Sequence, residues 1–209
     1  MRILITAGPT REYFDSVRFL SNASSGEMGF AIASEAVRRG HEVILIAGPV
    51  ELPPPRGPRV ISVVSAEEMY GACKRHFADC DAAIMTAAVC DYRPARKLSH
   101  KLKKTSRTRT VELKPTTDIC AALGAIKGDR VVIGFALEDR NPRQNAQRKL
   151  RRKRCDAIVL NHVRTLGSES ARVELLRADT GWSRPLRGGK SRIAGAVVDL
   201  VESLTAQRP

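Results

Sequence analysis

The sequence is poor in aromatic residues, long apolar runs and paired cysteines. Aromatic side chains make up 4% of the 209 residues, which leaves few surfaces on which nucleic-acid bases could stack. No apolar run approaches the roughly 18 residues that a membrane-spanning helix requires. No signal-peptide pattern precedes the first apolar segment, so we expect a cytoplasmic protein without a membrane partner. The five cysteines are scattered and include no C-x-x-C pair, which argues against both a disulfide framework and a zinc site.

Two nucleotide-binding fingerprints are also missing. The loop after the first apolar segment has no G-x-G-x-x-G pattern, and the second apolar segment ends at Ala47-Gly48-Pro49 without the acidic residue that binds ribose in a nicotinamide site. Gly189-Lys190-Ser191 resembles the end of a P-loop, but Arg184 occupies the position of its first glycine. A nicotinamide reductase and a P-loop enzyme are therefore disfavoured.

What the sequence has in excess is positive charge. The net charge is +14 and the isoelectric point is about 10.2. Such a surface attracts nucleic acids or small polyanions such as triphosphates and phosphate esters, and a merely solubilising basic surface is a third interpretation. Because stacking residues are scarce and no zinc-finger or RNP-like motif is present, we expect no nucleic-acid partner.

Short buried strands alternate with amphipathic helices along the chain. Strands are predicted over residues 2–7, 42–47, 59–63, 81–88, 130–137 and 156–161, and helices over 30–39, 66–76, 118–126, 141–154 and 191–205. This alternation predicts an α/β fold, namely a Rossmann-like, doubly wound and mostly parallel sheet with helices on both faces, in a single domain over residues 1–209. Residues 96–114 predict a basic, exposed flap of two strands with a mobile tip, and residues 173–186 a C-terminal hairpin.

The first loop is long and polar, and small polar residues gather at its end. Asn22, Ser24, Ser25 and Gly26 follow Gly8 and precede a helix. A carboxamide donor beside hydroxyl groups could hold a phosphate or a developing oxyanion at the helix N-terminus. The same residues are equally compatible with simple helix capping.

Two lysine-rich segments could contact a polyphosphate. Asp91 follows the fourth strand, and Lys101 lies ten positions further on, in the flap, where it could close on a triphosphate; a solvated basic hairpin is the plain alternative. Lys149 and Lys153 leave one helix face together, which also fits a solvated basic face. Cys90 could be a nucleophile, but no histidine accompanies it in a known motif, so a buried structural thiol is favoured.

Several segments, taken in order, resemble one family. These are TAGPTREYFDSVRFLSNASSGEMGFAIA, GPVELPPP, TAAVCDYRPA, KLKK, ELKPTTDI, IGFALE and KLRRKRCDAIVLN. Together they resemble the phosphopantothenate–cysteine ligase of bacterial coenzyme A synthesis, from Arg2 to about Asn161. The resemblance implies a homodimeric enzyme that joins 4′-phosphopantothenate and L-cysteine. CTP with Mg²⁺ would activate the carboxylate as an acyl-cytidylate and release pyrophosphate, and the cysteine amine would then displace CMP.

The resemblance also implies roles for individual residues. It makes Asn22 the residue that handles the acyl-cytidylate and Lys101 the flap lysine, both catalytic. The implied nucleotide-binding residues are Met85, Asp91, Lys101, Thr116, Thr117, Asp118, Ile119, Phe135, Lys149 and Lys153. The implied substrate and phosphate loop consists of Gly8, Asn22, Ser24, Ser25 and Gly26. Metal ligands are left unassigned, and the flap motif with the Lys149/Lys153 pair favours CTP over ATP.

Two positions depart from the family pattern. Glu27 replaces a lysine in the S-S-G-K-M-G run and reverses a charge beside the site, and Thr116-Thr117 replaces an Asn-Pro pair. Glu27 and the many arginines leave open a second function, that of a catalytically inactive relative that binds nucleotides or nucleic acids. In many bacteria this ligase is fused to a flavin-dependent decarboxylase, which has no counterpart in the sequence, so we expect no FMN.

Overall fold

The computed structural model describes residues 1–162 and 170–208, and strands and helices alternate through both ranges. The strands of the described residues are β1 (Arg2–Ala7), β2 (Arg11–Tyr13), β3 (Phe19–Ser21), β4 (Glu42–Ala47), β5 (Arg59–Ser62), β6 (Ala82–Met85), β7 (Tyr92–Pro94), β8 (Leu113–Pro115), β9 (Val131–Glu138), β10 (Ala157–His162), β11 (Ser170–Arg177), β12 (Gly181–Trp182) and β13 (Leu186–Gly189). The helices are α1 (Glu27–Arg38), α2 (Ala66–Phe77), α3 (Ile119–Ala125), α4 (Pro142–Arg152) and α5 (Lys190–Thr205). Among these described helices, none combines the length and the apolar character needed to cross a membrane.

Nine strands of the described chain form one large sheet, in the order β12-β11-β10-β9-β6-β1-β4-β5 with β13 paired to β11. Its parallel members run β5-β4-β1-β6-β9-β10. Counted along the chain, that is the 3-2-1-4-5-6 order of a doubly wound fold. Strands β11, β12 and β13 extend the sheet in antiparallel fashion beyond β10.

Two apolar layers cover the two faces of this sheet. Helices α1 and α5 pack on one face, and α2, α3 and α4 pack on the other. Successive residues of β1 alternate between the layers, with Ile3 and Ile5 in the first and Leu4 in the second. A strand that is buried on both faces needs a continuous apolar run, which is what residues 2–7 provide. The fold class predicted from the sequence is confirmed.

Local sequence signals set several helix ends. Gly40 adopts a left-handed conformation (φ 83°) just beyond α1, where a residue without Cβ is favoured. At the start of α2, the Ser65 hydroxyl accepts from the Glu68 N–H at 3.2 Å, and the Glu68 carboxylate accepts from the Val64 N–H at 2.7 Å. The capping residues expected at this helix are therefore in place.

The structure differs from the sequence prediction in three places. The first loop, in which no strand was predicted, contains a short antiparallel hairpin of β2 and β3. The fourth strand ends at Met85, three residues early, since the backbone beyond it pairs with the first loop instead. The flap strands are β7 and β8, which pair at its base, and residues 96–112 between them contain no strand or helix.

Candidate active site

The candidate site lies where the loops after β1 and β6 leave the sheet. The strand order reverses between these neighbours, and a doubly wound sheet opens a crevice at that point. The two loops stay paired beyond the strands: Pro9 and Ala88 form a parallel bridge, and the Ala88 N–H donates to the Gly8 carbonyl at 2.9 Å. The Cys90 N–H donates to the hydroxyl of buried Thr10 at 3.0 Å. These bonds fix the backbone at the carboxyl edge of the sheet.

Glycines allow the first loop and the start of α1 to meet closely. Gly8 and Gly26 have φ values of 75° and 78°, which L side chains rarely adopt. A Cβ on Gly26 would lie 3.4 Å from the Gly8 Cα, and a Cβ on either glycine would lie within 2.9 Å of Val50 Cγ1. The predicted substrate loop is therefore packed at Gly8 and Gly26, although its glycine spacing differs from a dinucleotide fingerprint.

Asn22 lies at this crevice, and its side-chain amide forms hydrogen bonds within the protein. Its Nδ2 group donates to the carbonyls of Ala88 and Val89 at 3.0 and 3.1 Å. Both amide hydrogens are therefore used within the protein, and the amide oxygen remains to act as an acceptor. That Asn22 offers a donor to a phosphate or oxyanion stays a prediction, and it would require the amide to release one of these carbonyls.

Among the described residues, the neighbouring serines provide only one weak side-chain contact to the start of α1. The Ser25 hydroxyl accepts from the Glu27 N–H at a long 3.5 Å, and the Ser24 N–H donates to the Asn22 carbonyl at 2.9 Å. Gly26 occupies the N-cap position, and within the described chain α1 has no side-chain cap. The interpretation that these residues serve only to cap the helix is weakened.

A second segment reaches the crevice from β8. The Thr116 N–H donates to the Asp91 carbonyl at 2.9 Å, and the Thr116 hydroxyl donates to the Cys90 carbonyl at 2.5 Å. Asp91 and Thr117 are exposed, whereas Met85, the last residue of β6, is 7% exposed and belongs to the layer under α2 and α3. The structure thus brings Thr116 and Asp91 together and leaves Met85 mostly in the core.

Asp118 connects this segment to the end of α4. Its carboxylate accepts from the Ala121 N–H at 3.1 Å and from the Lys153 ammonium at 3.0 Å, and Arg152 lies 3.4 Å away. Burial alone would raise the pKa of Asp118, but the hydrogen bond from Lys153 is the main reason why that pKa lies below its ordinary value. Ile119 is buried beneath this ion pair.

Lys149 and Lys153 are not the bare pair of like charges that the sequence indicates. The Lys149 ammonium lies 2.7 Å from a Glu138 carboxylate oxygen, as Lys153 lies beside Asp118. Each lysine is held by a carboxylate of its own, which removes most of the repulsion between them. Phe135 is half-buried and packs against the opposite layer, with α1 and α5. Nucleotide binding by these three residues stays a prediction.

The flap carries Lys101 and is tied to the β2–β3 hairpin. Within the described residues, the Lys101 ammonium has no hydrogen-bond or ion-pair partner. The backbone of the next residue, Leu102, is bound on both sides: its N–H donates to the Asp15 carboxylate, and its carbonyl accepts from Arg18. Neither residue was expected at the site, and the only signal in the sequence was their i, i+3 spacing of opposite charges.

Glu27, the charge reversal beside the site, has a partner. Its carboxylate forms an ion pair with Lys190, the first residue of α5. Glu27 also lies in the first turn of α1, where a negative charge is favourable to the helix dipole. The reversed charge is therefore compensated within the fold and joins the starts of α1 and α5.

The cysteines lie apart from any evident catalytic partner in the part of the chain that the structure describes, and most of them are buried. Burial raises the pKa of the Cys90 thiol, which is 7% exposed, as a structural thiol requires. Cys120 and Cys155 lie with their sulfurs 3.4 Å apart behind the Asp118–Lys153 pair. Among the described residues, no group of three or more histidine, cysteine or acidic side chains could hold a metal ion.

Two cavities lie elsewhere. One, of about 350 Å³, opens between the β2–β3 hairpin, the start of α2 and β7; the other, of about 530 Å³, lies at the amino ends of the strands beside Arg208. As far as the described residues define them, no predicted site residue lines either cavity. The candidate site is instead an open crevice at the sheet edge.

Comparisons with known proteins give the relatives of the chain. Residues 1–204 match the model of the family described as DNA/pantothenate metabolism flavoprotein C-terminal domain. A protein of an unknown prokaryotic organism, named cysteine/cysteine sulfinic acid decarboxylase, is 44% identical over 209 residues, covering 97% of this chain and 58% of that protein. The coenzyme A biosynthesis bifunctional protein CoaBC of Bacillus subtilis (strain 168) is 44% identical over 167 residues, covering 79% of this chain and 41% of that protein.

A solved structure shares the fold. The crystal structure of the C-terminal domain of the coenzyme A biosynthesis bifunctional protein CoaBC matches with a TM-score of 0.83 and 39% identity, over 98% of this chain and 95% of that one. The chain spans about half the length of the curated relatives it matches. An activity named for a whole relative can therefore reside in the part that has no match here.

Proposed function

The chain belongs to the family of the DNA/pantothenate metabolism flavoprotein C-terminal domain, and from that premise we propose that it is a phosphopantothenate–cysteine ligase of coenzyme A biosynthesis. The enzyme joins 4′-phosphopantothenate to L-cysteine and cleaves CTP to CMP and pyrophosphate. Relatives named for coenzyme A biosynthesis and the ordered sequence motifs support the reaction class.

The observation that carries the proposal is the meeting of distant segments at one crevice. Asn22 binds the loop after β6, Thr116 binds the same loop from the other side, and the flap with Lys101 is anchored to the hairpin of the first loop. The crevice lies at the switch point, where doubly wound sheets bind their ligands. A reaction of two polyanionic substrates, 4′-phosphopantothenate and CTP, suits a crevice that is supplied with lysines.

The chemistry has two steps. A carboxylate oxygen of 4′-phosphopantothenate attacks the α-phosphorus of CTP, the bond to the bridging oxygen breaks, and pyrophosphate leaves. The cysteine amine then attacks the acyl carbon and loses a proton, and CMP leaves with the electrons of the broken C–O bond. Negative charge develops on the departing pyrophosphate in the first step and on the departing CMP in the second, so positive side chains near the phosphates lower both barriers.

Two residues receive specific roles. Lys101, which has no partner among the described residues, supplies its ammonium group to the charge that develops on the phosphates. Asn22 offers an amide oxygen rather than a donor, and an acceptor suits the N–H of the attacking cysteine amine. Asn22 therefore acts in the second step, by orienting the nucleophile.

Mg²⁺ accompanies the triphosphate in this proposal. The described residues contain no cluster that could form a protein-built metal site. Mg²⁺ commonly binds through substrate phosphates with one or two carboxylates, and exposed Asp91 is the carboxylate at the crevice. We also expect a homodimer and no bound FMN, and a featureless visible absorbance spectrum of the purified protein is the check on the latter.

A nucleotide panel tests the proposal. Purified protein is mixed with 4′-phosphopantothenate, cysteine, Mg²⁺ and one of CTP, ATP, GTP or UTP, and pyrophosphate is followed. We expect release with CTP well above release with the other three. Pyrophosphate from ATP alone would correct the nucleotide, and no release from any of the four would overturn the ligase assignment in favour of an inactive, basic binding protein.

The alternative function, that of an inactive relative that binds nucleotides or nucleic acids, is less well supported than the sequence indicated. It was suggested by Glu27 and the many arginines, and the ion pair with Lys190 compensates the reversed charge at Glu27. The decarboxylase name of one relative also stays with that relative, because this chain covers 58% of its length. Salt-sensitive binding of nucleic acid without nucleotide turnover would restore the alternative.

A further inference from the structure

Asp15 is a fully buried carboxylate that the proposed reaction does not use. It lies in the turn between β2 and β3 and is 0% exposed. One oxygen accepts from the N–H groups of Val17 and Arg18, both at 2.8 Å. The other accepts from Arg18 Nε at 2.9 Å, from Arg18 Nη2 at 2.6 Å and from the Leu102 N–H at 3.1 Å. Five donors thus converge on one side chain.

The last of these donors comes from the flap, 87 positions away. Arg18 completes the contact, because its Nη2 group also donates to the Leu102 carbonyl at 2.6 Å. The two ends of the Leu102 peptide backbone are therefore held by one Asp–Arg pair. No other residue of the described flap between Ser99 and Thr110 has a backbone bond of this kind across to the hairpin.

Two further contacts attach the root of the flap to the same hairpin. The Leu98 N–H donates to the Phe14 carbonyl at 2.9 Å, and the Lys97 ammonium lies 5.4 Å from the centre of the Tyr13 ring. The flap is therefore fixed at Leu98 and again at Leu102. Lys101 lies immediately before the second fixed point, which limits where its ammonium can go.

A buried carboxylate is stable only when its lone pairs are satisfied. Burial by itself would raise the pKa of Asp15, but the backbone hydrogen bonds from Arg18, Val17 and Leu102 hold that pKa well below its ordinary value. These hydrogen bonds therefore favour the ionised form of Asp15. If the Leu102 N–H left, one acceptor site of a buried anion would lose its partner, so the carboxylate itself favours the docked flap.

We propose that Asp15 is a positioning residue that holds the flap through Leu102, so that Lys101 is placed at the crevice before the nucleotide binds. The inference rests on the proposed function for the role of Lys101, but the attachment itself can be measured without any reaction. Asp15 acts only through Lys101 and touches no substrate.

The first measurement is hydrogen exchange at the Leu102 amide in the purified protein without nucleotide. Wild-type protein is expected to protect this amide, and Asp15→Asn, which replaces one acceptor oxygen by a donor, is expected to lose the protection. Asp179→Asn is the matched control: Asp179 forms a similar two-bond pair with Arg177, at 2.9 and 2.7 Å, on the C-terminal hairpin. The control should leave Leu102 protected, and equal protection in all three proteins would overturn the proposal.

The second measurement separates positioning from general stability. Asp15→Asn is expected to lower kcat for pyrophosphate release by about 100-fold with KM for CTP changed little, since misplacing a catalytic group by about 1 Å costs that much. In a Lys101→Gln background, Asp15→Asn should then cost almost nothing further, because the residue acts through Lys101. Additive losses in the double variant would contradict the role and indicate a structural effect alone.

The outcomes distinguish the two proposals. If the wild-type protein is inactive but its Leu102 amide is protected, the ligase function is refuted and the attachment of the flap to the hairpin is not. If the wild-type protein is active and its Asp15→Asn variant has an unchanged kcat, the positioning role of Asp15 is refuted. If Asp15→Asn fails to fold, Arg18→Lys is used instead, because it keeps the positive charge and removes the hydrogen bond to the Leu102 carbonyl. Unchanged hydrogen exchange at the Leu102 amide together with an unchanged kcat in this variant would contradict the proposal.

Discussion

Gly29 shows how strictly single residues are constrained at the crevice. A Cβ at this position would lie 2.5 Å from both the Ala7 Cβ and the Thr86 hydroxyl oxygen. Ala7 is the last residue of β1 and Thr86 is the first residue after β6, so the missing side chain lets α1 begin directly against the switch point. The close packing of helix on strand is achieved without the usual fingerprint spacing.

Gly29→Ala should therefore destabilise the protein, although alanine is the better helix former. Overpacking costs about 1–3 kcal/mol, which exceeds the gain of about 1 kcal/mol from helix propensity. Gly71→Ala is the control, because Gly71 lies inside α2 with nothing within 4 Å of an added Cβ. Urea unfolding should show a lower midpoint for Gly29→Ala and a higher one for Gly71→Ala; a stabilised Gly29→Ala would refute the packing.

Lys101→Gln should abolish most of the activity without affecting the fold. Its side chain is exposed and has no partner among the described residues, so the melting temperature should stay within about 1 °C, as for most surface substitutions. Loss of one preorganised positive group typically costs about 100- to 1000-fold in kcat. Lys74→Gln, an exposed lysine on α2, is the control and should keep full activity.

At the scale of single residues, the sequence could indicate candidate site residues but not the groups that their side chains contact. Asn22 and Lys101 stand in recognisable motifs, whereas the orientation of the Asn22 amide depends on carbonyls 66 and 67 positions away. Asp15 was overlooked for the same reason, since its contact with Leu102 spans 87 positions. Local spacing carries no information about such pairs.

Among the elements, α1 and α5 are joined by an ion network around Arg39. The Arg39 guanidinium binds Glu35 at 2.8 Å within its own helix segment and binds Asp199 and Glu202 of α5 at 2.5 and 3.0 Å. His41 also lies 2.8 Å from a Glu202 oxygen. Together with the Glu27–Lys190 pair, these contacts hold both ends of α1 against α5.

The network predicts a loss of stability in acid. Hydrogen bonds from Arg38 and Arg39 lower the pKa of Glu35 from 4.5 to about 2. A lowered carboxyl pKa contributes stability that is complete above its ordinary value and is lost as the pH falls from about 4.5 towards 2. The melting temperature of Glu35→Gln should therefore depend less on pH between 6 and 3 than that of wild type. Glu67→Gln, at an exposed side chain, should follow wild type, and parallel curves for all three would disprove the contribution of Glu35.

Strands and helices of ordinary length were predictable from periodicity, and short ones were not. The runs that became β1, β4 and β9 are mostly apolar because most of their residues are buried between the two layers. Strands β2, β3, β7 and β8 have three residues each, too few for a period to show. The flap and the first loop, which carry the site, are built from these short strands, so their conformation could not be derived from pattern alone.

In the molecule as a whole, the positive side chains of different segments differ in whether they are paired with carboxylates. Much of α4 is already paired, with Arg143, Lys149 and Lys153 each beside a carboxylate. The flap, in contrast, carries seven lysines and arginines over residues 96–110 and no acidic residue. This positive charge lies in the segment that carries Lys101, and under the proposed function it would raise the local concentration of anionic substrates. The doubly wound order brings the first loop, the β6 loop and the flap to that edge.

The most direct test of the account is the release of CMP when cysteine is withheld and then added. With 4′-phosphopantothenate, Mg²⁺ and CTP alone, we predict pyrophosphate and an acyl-cytidylate, detected by mass spectrometry, with little free CMP. Added cysteine should then release CMP in equal amount with 4′-phosphopantothenoylcysteine. CMP that forms without 4′-phosphopantothenate, or an absence of CMP after cysteine is added, would contradict the account.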